Sequence, residues 1–160
     1  MFEIQLLAVG KLKEKFYQSA VSEYEKRLGA YCRFKMIELP EVRLSDCPSP
    51  AEIAAGLEKE AELLISKLPK GAWICVLTPE GKLISSEGMA EQLAAIKVSG
   101  KSCACFIIGS SFGLSPRIKE LANYRLSMSP MTFPHHLARV MALEQLYRAE
   151  SIQAGSKYHK

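Results

Sequence analysis

Cys105-Phe-Ile-Ile108 running into Gly109-Ser-Ser-Phe-Gly113, and later Leu126-Ser-Met-Ser-Pro-Met-Thr-Phe-Pro-His135, decide how this chain is read. The first is an apolar run of strand length that breaks into a glycine-bounded turn. The second is a loop stiffened by two prolines, set between a short apolar strand and a long helix. Loops that leave the carboxyl ends of neighbouring strands are where open α/β sheets build small-molecule pockets.

Outward from these two loops, strand and helix patterns alternate. Phe2 to Val9 alternates and then runs apolar, predicting a strand that stops at Gly10. Lys13 to Leu28 carries Phe16, Ala20, Tyr24 and Leu28 at helical spacing and closes at Gly29. Arg33 to Leu39 is a second strand. Ser49 or Pro50 opens a helix to about Leu68. Ala72 to Leu77 is a nearly all-apolar strand, as expected for one covered on both faces. Thr78 to Lys82 is expected to turn, and Ser85 or Ser86 to cap a helix reaching Val98. Ser102 to Ile108 is a further buried strand, Ser115-Pro-Arg begins a short helix, and Tyr124 to Met128 is a short strand. Phe133-Pro-His135 opens the last helix, running to about Ala154. The fold class is therefore α/β, with a mostly parallel sheet flanked by helices.

On the last helix Glu144, Gln145, Arg148 and Ser151 form one polar side. Val140, Leu143 and Tyr147 make one apolar flank, and Ala138, Ala142, Leu146 and Ala149 another, with Arg139 and Glu150 between them. Two flanks imply burial against two things. Another subunit is one option and deep burial within the same domain the other.

The 160 residues suit one domain, 1–160, with a substantial core. A net charge of +4 does not by itself announce nucleic acid. The basic residues nevertheless crowd at Lys11, Lys13, Lys15, Lys26, Arg27, Arg33 and Lys35, a set able to face phosphates or simply to line a solvated helix. The five cysteines form no zinc pattern and no C-x-x-C pair, which fits a reducing compartment. No signal peptide or transmembrane run is apparent, so a soluble cytoplasmic protein without a membrane partner is expected.

The Gly109 loop matches neither G-x-G-x-x-G nor a Walker A sequence and lacks a phosphate-gripping lysine. A dinucleotide oxidoreductase therefore finds no fingerprint here. The Met128 to Pro134 loop offers hydroxyls, soft apolar surface and backbone groups with almost no charge, which suits an aromatic ring held between apolar walls. His135 and His136 point about 100° apart on a helix and have no partner at ligand spacing, so no metal site is expected. At the tail, Tyr158 and His159 supply a stacking ring and a titratable base between Lys157 and Lys160.

Taken together, Leu7-Ala-Val-Gly-Lys11, Glu23-Tyr-Glu-Lys-Arg27, Gly81-Lys82 with Ser85-Ser-Glu87, Ile107-Ile-Gly109 with Gly113-Leu114, Met131-Thr-Phe-Pro-His135, Glu144-Gln-Leu-Tyr-Arg-Ala149 and Tyr158-His-Lys160 resemble the RlmH family. These are small SPOUT-class methyltransferases of large-subunit ribosomal RNA. The resemblance implies a C-terminal trefoil knot, a homodimer and S-adenosylmethionine as methyl donor. It also implies N3 of a pseudouridine in 23S rRNA as acceptor. It places the cofactor pocket on Leu77, Gly109, Met128, Ser129, Pro130, Met131, Thr132 and Phe133. Two positions depart from the family pattern. Ser110 stands where a second glycine is usual, beside the expected ligand path, and Thr78 where an aspartate is usual.

Transfer from a sulfonium to an imino nitrogen needs alignment and a destination for the leaving proton. His159 is the candidate base or orienting group, Tyr158 the candidate stacking partner, and Arg139 a weaker candidate for a phosphate contact. So few charges for RNA suggest a large assembled particle, the ribosome, as substrate. The alternatives are a non-catalytic nucleotide-binding module and a ribosome-binding factor without activity.

Overall fold

The computed structural model describes residues 1–159; Lys160, named above with the tail, lies outside them. Ten elements alternate: β1 (Glu3–Val9), α1 (Lys15–Leu28), β2 (Arg33–Leu39), α2 (Pro50–Lys67), β3 (Trp73–Leu83), α3 (Ser86–Val98), β4 (Cys103–Ile108), α4 (Pro116–Leu121), β5 (Tyr124–Ser127) and α5 (His135–Gln153). All four strand pairings are parallel, in the order β2-β1-β4-β3-β5. The expected α/β class with a parallel, helix-flanked sheet is what forms.

Period-two alternation divides the sheet's side chains between two layers. Ile4, Leu6, Cys75, Ala104 and Phe106 face α1, α3 and α5. Leu7, Val9, Val76, Cys105 and Ile107 face α2 and α4. Coverage on both faces explains why β4 is buried at every position and reads as an unbroken apolar run. Burial pushes the Cys32 and Cys105 thiols up to about 12, in keeping with cysteines that act as small hydrophobes.

Helix starts follow local chemistry. Ser49, Ser85 and Ser115 each accept a backbone N–H at an N-cap, from Glu52, Gly88 and Arg117 respectively.

Two readings change. Thr78 to Lys82 is not a plain turn, because β3 bulges there and pairs again, so both Leu77 and Lys82 face Leu126 of β5. Pro79 has no N–H to give a ladder, which accounts for the interruption. Gly81 lets the bulge close: a Cβ there would lie 2.6 Å from the carbonyl carbon of Leu126 and 2.7 Å from the amide of Ser127.

The second change concerns α5. Its two apolar flanks merge into one buried stripe centred on Arg139 and Glu150, flanked by Ala142, Leu143, Leu146 and Ala149. Charged residues go to solvent by default, but each of these two is met by an opposite charge that reaches in from the surface. The Arg139 guanidinium, fully buried, donates to Glu38 Oε2 at 2.8 Å and to the Gly10 carbonyl at 3.0 Å. Lys97 Nζ holds both Glu150 oxygens at 2.8 Å. Arg139 is therefore no phosphate contact; it ties the start of α5 to the ends of β1 and β2. Ser151, assigned above to the polar side, is buried and donates to the Tyr147 carbonyl.

Gly81→Ala is expected to lower stability by about 2–3 kcal/mol or more, because its Cβ meets backbone that cannot rotate away. Urea unfolding measures it, and an unchanged midpoint would contradict the close β3–β5 crossing.

Candidate active site

Three of the segments singled out in the sequence meet at one place. β4 and β5 are not paired with each other; β3 stands between them. Val76 lies opposite Ile107 on one side and Leu77 opposite Leu126 on the other. Leu77, where β3 stops pairing with β4 and bulges, the Gly109 turn after β4 and the loop after β5 thus lie along one edge of the sheet.

The Gly109 turn is rigid. Gly113 N–H donates to the Ser110 carbonyl at 2.8 Å, and Gly113 takes a φ of +85° that L side chains rarely adopt. The turn folds back over Gly109, so a Cβ there would sit 2.2 Å from the Gly113 carbonyl oxygen. Glycine at 109 is demanded by the turn itself. Ser110, the departure from the family pattern, turns toward α2. It is buried and its hydroxyl donates to Glu60 Oε1 at 3.2 Å, while Glu60 Oε2 accepts the Val42 amide at 2.9 Å. Thr78, the other departure, is buried beside Leu77, and its hydroxyl finds no partner of good geometry among the described residues.

In the loop after β5, Ser127 Oγ donates to the Ser129 carbonyl and Ser129 Oγ accepts the Met131 amide at 3.0 Å, a serine turn that fixes its shape. The Thr132 and Phe133 amides make no hydrogen bond within the described residues. Met128, Ser129 and Phe133 are half-buried, whereas Pro130, Thr132 and Met131, the last at 76% exposure, are open.

A cavity of about 500 Å³ adjoins this edge, lined by Tyr24, Ser85, Met89, Met128, Met141 and Glu144 among others. Of the eight expected cofactor residues only Met128 reaches it. The cavity lies to one side of the three-loop junction, between α3 and α5.

The tail closes over the rim of this cavity. Tyr158 donates from its phenol to the Glu144 carboxylate at 3.1 Å, and its ring stands 4.7 Å from that of Tyr147. His159 Nε2 lies 2.7 Å from Glu87 Oε1, and Arg148 Nη1 lies 3.3 Å from His159 Nδ1. A guanidinium only donates, so Nδ1 accepts and Nε2 carries the hydrogen given to Glu87. In this arrangement neither ring nitrogen is free to take a proton. The Glu87 carboxyl is held below the usual range by its own backbone amide at the start of α3 and by His159. Tyr24, on the cavity wall, has its phenol pushed up to about 12 by burial and by the Glu144 carboxylate, so it remains a protonated donor.

The Glu38–Arg139 pair, the Glu60 link and the Arg148 bridge carried no sequence signal, since each joins residues far apart in the chain or lies on a face read as solvated. The His135 and His136 rings meet edge to face with centroids 4.2 Å apart, and no group of three metal-ligating side chains is assembled among the described residues. No helix among them is long and apolar enough to cross a membrane.

Burial raises the Glu60 carboxyl above its ordinary value, opposed by the Val42 amide and Ser110. Between the ordinary and raised values the folded protein keeps a proton that the unfolded chain has lost. Its contribution is complete below that window and falls as pH rises through it. Glu60→Gln should flatten this segment of the stability–pH profile, and an unchanged slope in urea melts across it would refute the coupling.

Residues 2–159 match the model of a family described as "Predicted SPOUT methyltransferase". Among solved structures, a probable methylase family protein from Haemophilus influenzae Rd KW20 superposes with a TM-score of 0.52 at 13% identity, over 99% of this chain and 70% of that one. A probable methyltransferase from Bordetella pertussis Tohama I gives 0.57 at 13% identity, over 92% and 95%. Identities this low speak to the fold, while the family match spans nearly the whole chain. The chain belongs to the SPOUT methyltransferase family.

Proposed function

We propose that this protein is an S-adenosylmethionine-dependent methyltransferase of the RlmH type, acting at N3 of a pseudouridine in 23S rRNA within the ribosome. The observation that carries the reading is the meeting of Leu77, the Gly109 turn and the Met128–Phe133 loop at one edge of three adjacent strands. Open amides at Thr132 and Phe133 suit the ring nitrogens of adenine, and Leu77, Met128 and Phe133 supply apolar walls. The run 128–133 contains no charged side chain, which fits a donor whose sulfonium needs no counter-ion fixed in the protein. These residues fit the donor.

When bound, S-adenosylmethionine supplies an electrophilic methyl carbon. The chain's share is alignment and proton handling. Met128 belongs both to the donor loop and to the 500 Å³ cavity, so the cavity is where the acceptor base approaches. Tyr158, set on Glu144 at the rim, presents a ring for that base. His159 orients it or takes its proton, and the latter requires the tail to lift from Arg148.

The homodimer belongs to the same proposal. Leu137, Val140 and Met141 on α5 are only half-buried, the last two at the cavity wall, so a second copy beside α5 would cover apolar surface next to the cavity. So does the knot: the tight crossing of Gly81 over Leu126 and Ser127 suits a chain threaded at this edge.

Gly109→Val is expected to abolish S-adenosylmethionine binding in calorimetry, with NAD and ATP silent toward the wild type; unchanged affinity would refute the pocket. His159→Ala should leave that affinity within about twofold while methylation of ribosomes from a strain lacking the protein falls by about 100-fold or more. Normal turnover would remove the tail from the mechanism.

A further inference from the structure

The same sheet edge carries an exposed corner that neither donor nor acceptor chemistry needs. Gly10 ends β1 with a φ of +101° and turns the chain into α1, and the corner that follows is Lys11-Leu-Lys-Glu-Lys-Phe16. Only Leu12 is buried. Lys11, Lys13 and Lys15 are exposed, and none forms an ion pair among the described residues. Phe16 is 67% exposed, a large ring in water at the first turn of a helix.

The acids around this corner are mostly committed. Glu14 is turned to His136 at 3.4 Å, and Glu38 holds Arg139 and the Leu12 amide; Glu41, across Gly10, is left open. The corner therefore presents positive charge and one ring.

Its position relative to the donor loop is set by contacts. The Phe16 ring stands 4.4 Å from Tyr17, Tyr17 stands 6.2 Å from His136, and His136 stands 4.2 Å from His135, the residue after Pro134. Four rings thus run in steps from open solvent to the foot of the Met128–Pro134 loop. Lysines tracking phosphates beside an exposed ring on which a base stacks form the general design for gripping single-stranded nucleic acid. A splayed loop, unlike a helix, offers both phosphates and unstacked bases.

We propose that the β1–α1 corner is an RNA-docking surface, where Lys11, Lys13 and Lys15 hold the backbone and Phe16 stacks an unpaired base flanking the methylated nucleotide. This rests on the RNA methyltransferase reading above. The surface binds substrate and takes no part in holding the donor.

The test uses the full chain and large ribosomal subunits from a strain lacking the protein, with methyl transfer, particle binding and sedimentation measured together. Phe16→Leu should raise the KM for the particle about tenfold at similar kcat, and Phe16→Trp should restore it. Lys11, Lys13 and Lys15 changed together to Gln should weaken particle binding and reduce the slope of log affinity against log salt by about 2, the loss of three phosphate contacts. S-adenosylmethionine affinity should not move in any variant.

Wild-type KM and salt slope in these variants would overturn the surface while leaving the function intact. So would equal failure of Leu and Trp at position 16. Dissociation of the Phe16→Leu protein into monomers would assign the ring to a second copy of the chain and overturn the surface too. A wild-type protein that binds S-adenosylmethionine but neither retains nor methylates the particle would overturn the function, and the surface with it.

Discussion

A guanidinium shut away from water holds the working edge of this sheet together. Arg139 stands on the first turns of α5, and its bonds to Glu38 and the Gly10 carbonyl tie that helix to the ends of β1 and β2. Burial draws its pKa down and Glu38 resists. One nitrogen, Nε, has no partner among the described residues, so the arrangement is not the cheapest way to fill the space. What the pair specifies is position, in the sense that a buried charge tolerates few alternative registers. The loop from Met128 to Pro134 begins at β5 and ends at the helix so anchored; its two ends are fixed independently, and its shape follows.

A second constraint works from the other side of the sheet. Glu60 on α2 reaches the Gly109 turn through Ser110 and the segment after β2 through Val42. The turn is thereby braced from the helix layer opposite α5. The two layers differ in what they contribute. The α1, α3 and α5 layer carries the cavity, the tail and the exposed corner at Lys11–Phe16, while the α2 and α4 layer braces the turn. A site with open amides and no charge can be selective only if its backbone is held in place, and the buried Arg139 and the buried Glu60 do that holding.

Much of the architecture was legible in the chain. Strand runs such as Cys103–Ile108 are apolar because helices cover both faces, and the serine caps mark helix starts within a residue. The segments expected to form the donor site do converge, though with β3 between the two loops rather than as neighbours. The bulge at Thr78–Gly81 was not legible, because proline and glycine in sequence signal a turn whether or not the chain later pairs again. Which side of α5 is buried was open in the sequence for a related reason. Arg139 and Glu150 look like solvent residues until Glu38 and Lys97 are brought to them from distant elements.

The sequence by itself determined the α/β alternation, the parallel sheet, the positions of the loops and the chemistry they can offer, since these depend on local periodicity and residue type. Tertiary structure alone decided that Ser110 turns to Glu60, that His159 is capped by Arg148 and Glu87, and that Phe16 lies at the end of a row of rings leading to the Met128–Pro134 loop. Each of those facts is a meeting of side chains from elements remote in sequence. Hydrogen bonds and ring contacts act over a few ångströms, so only the folded chain can say which distant partners come within reach.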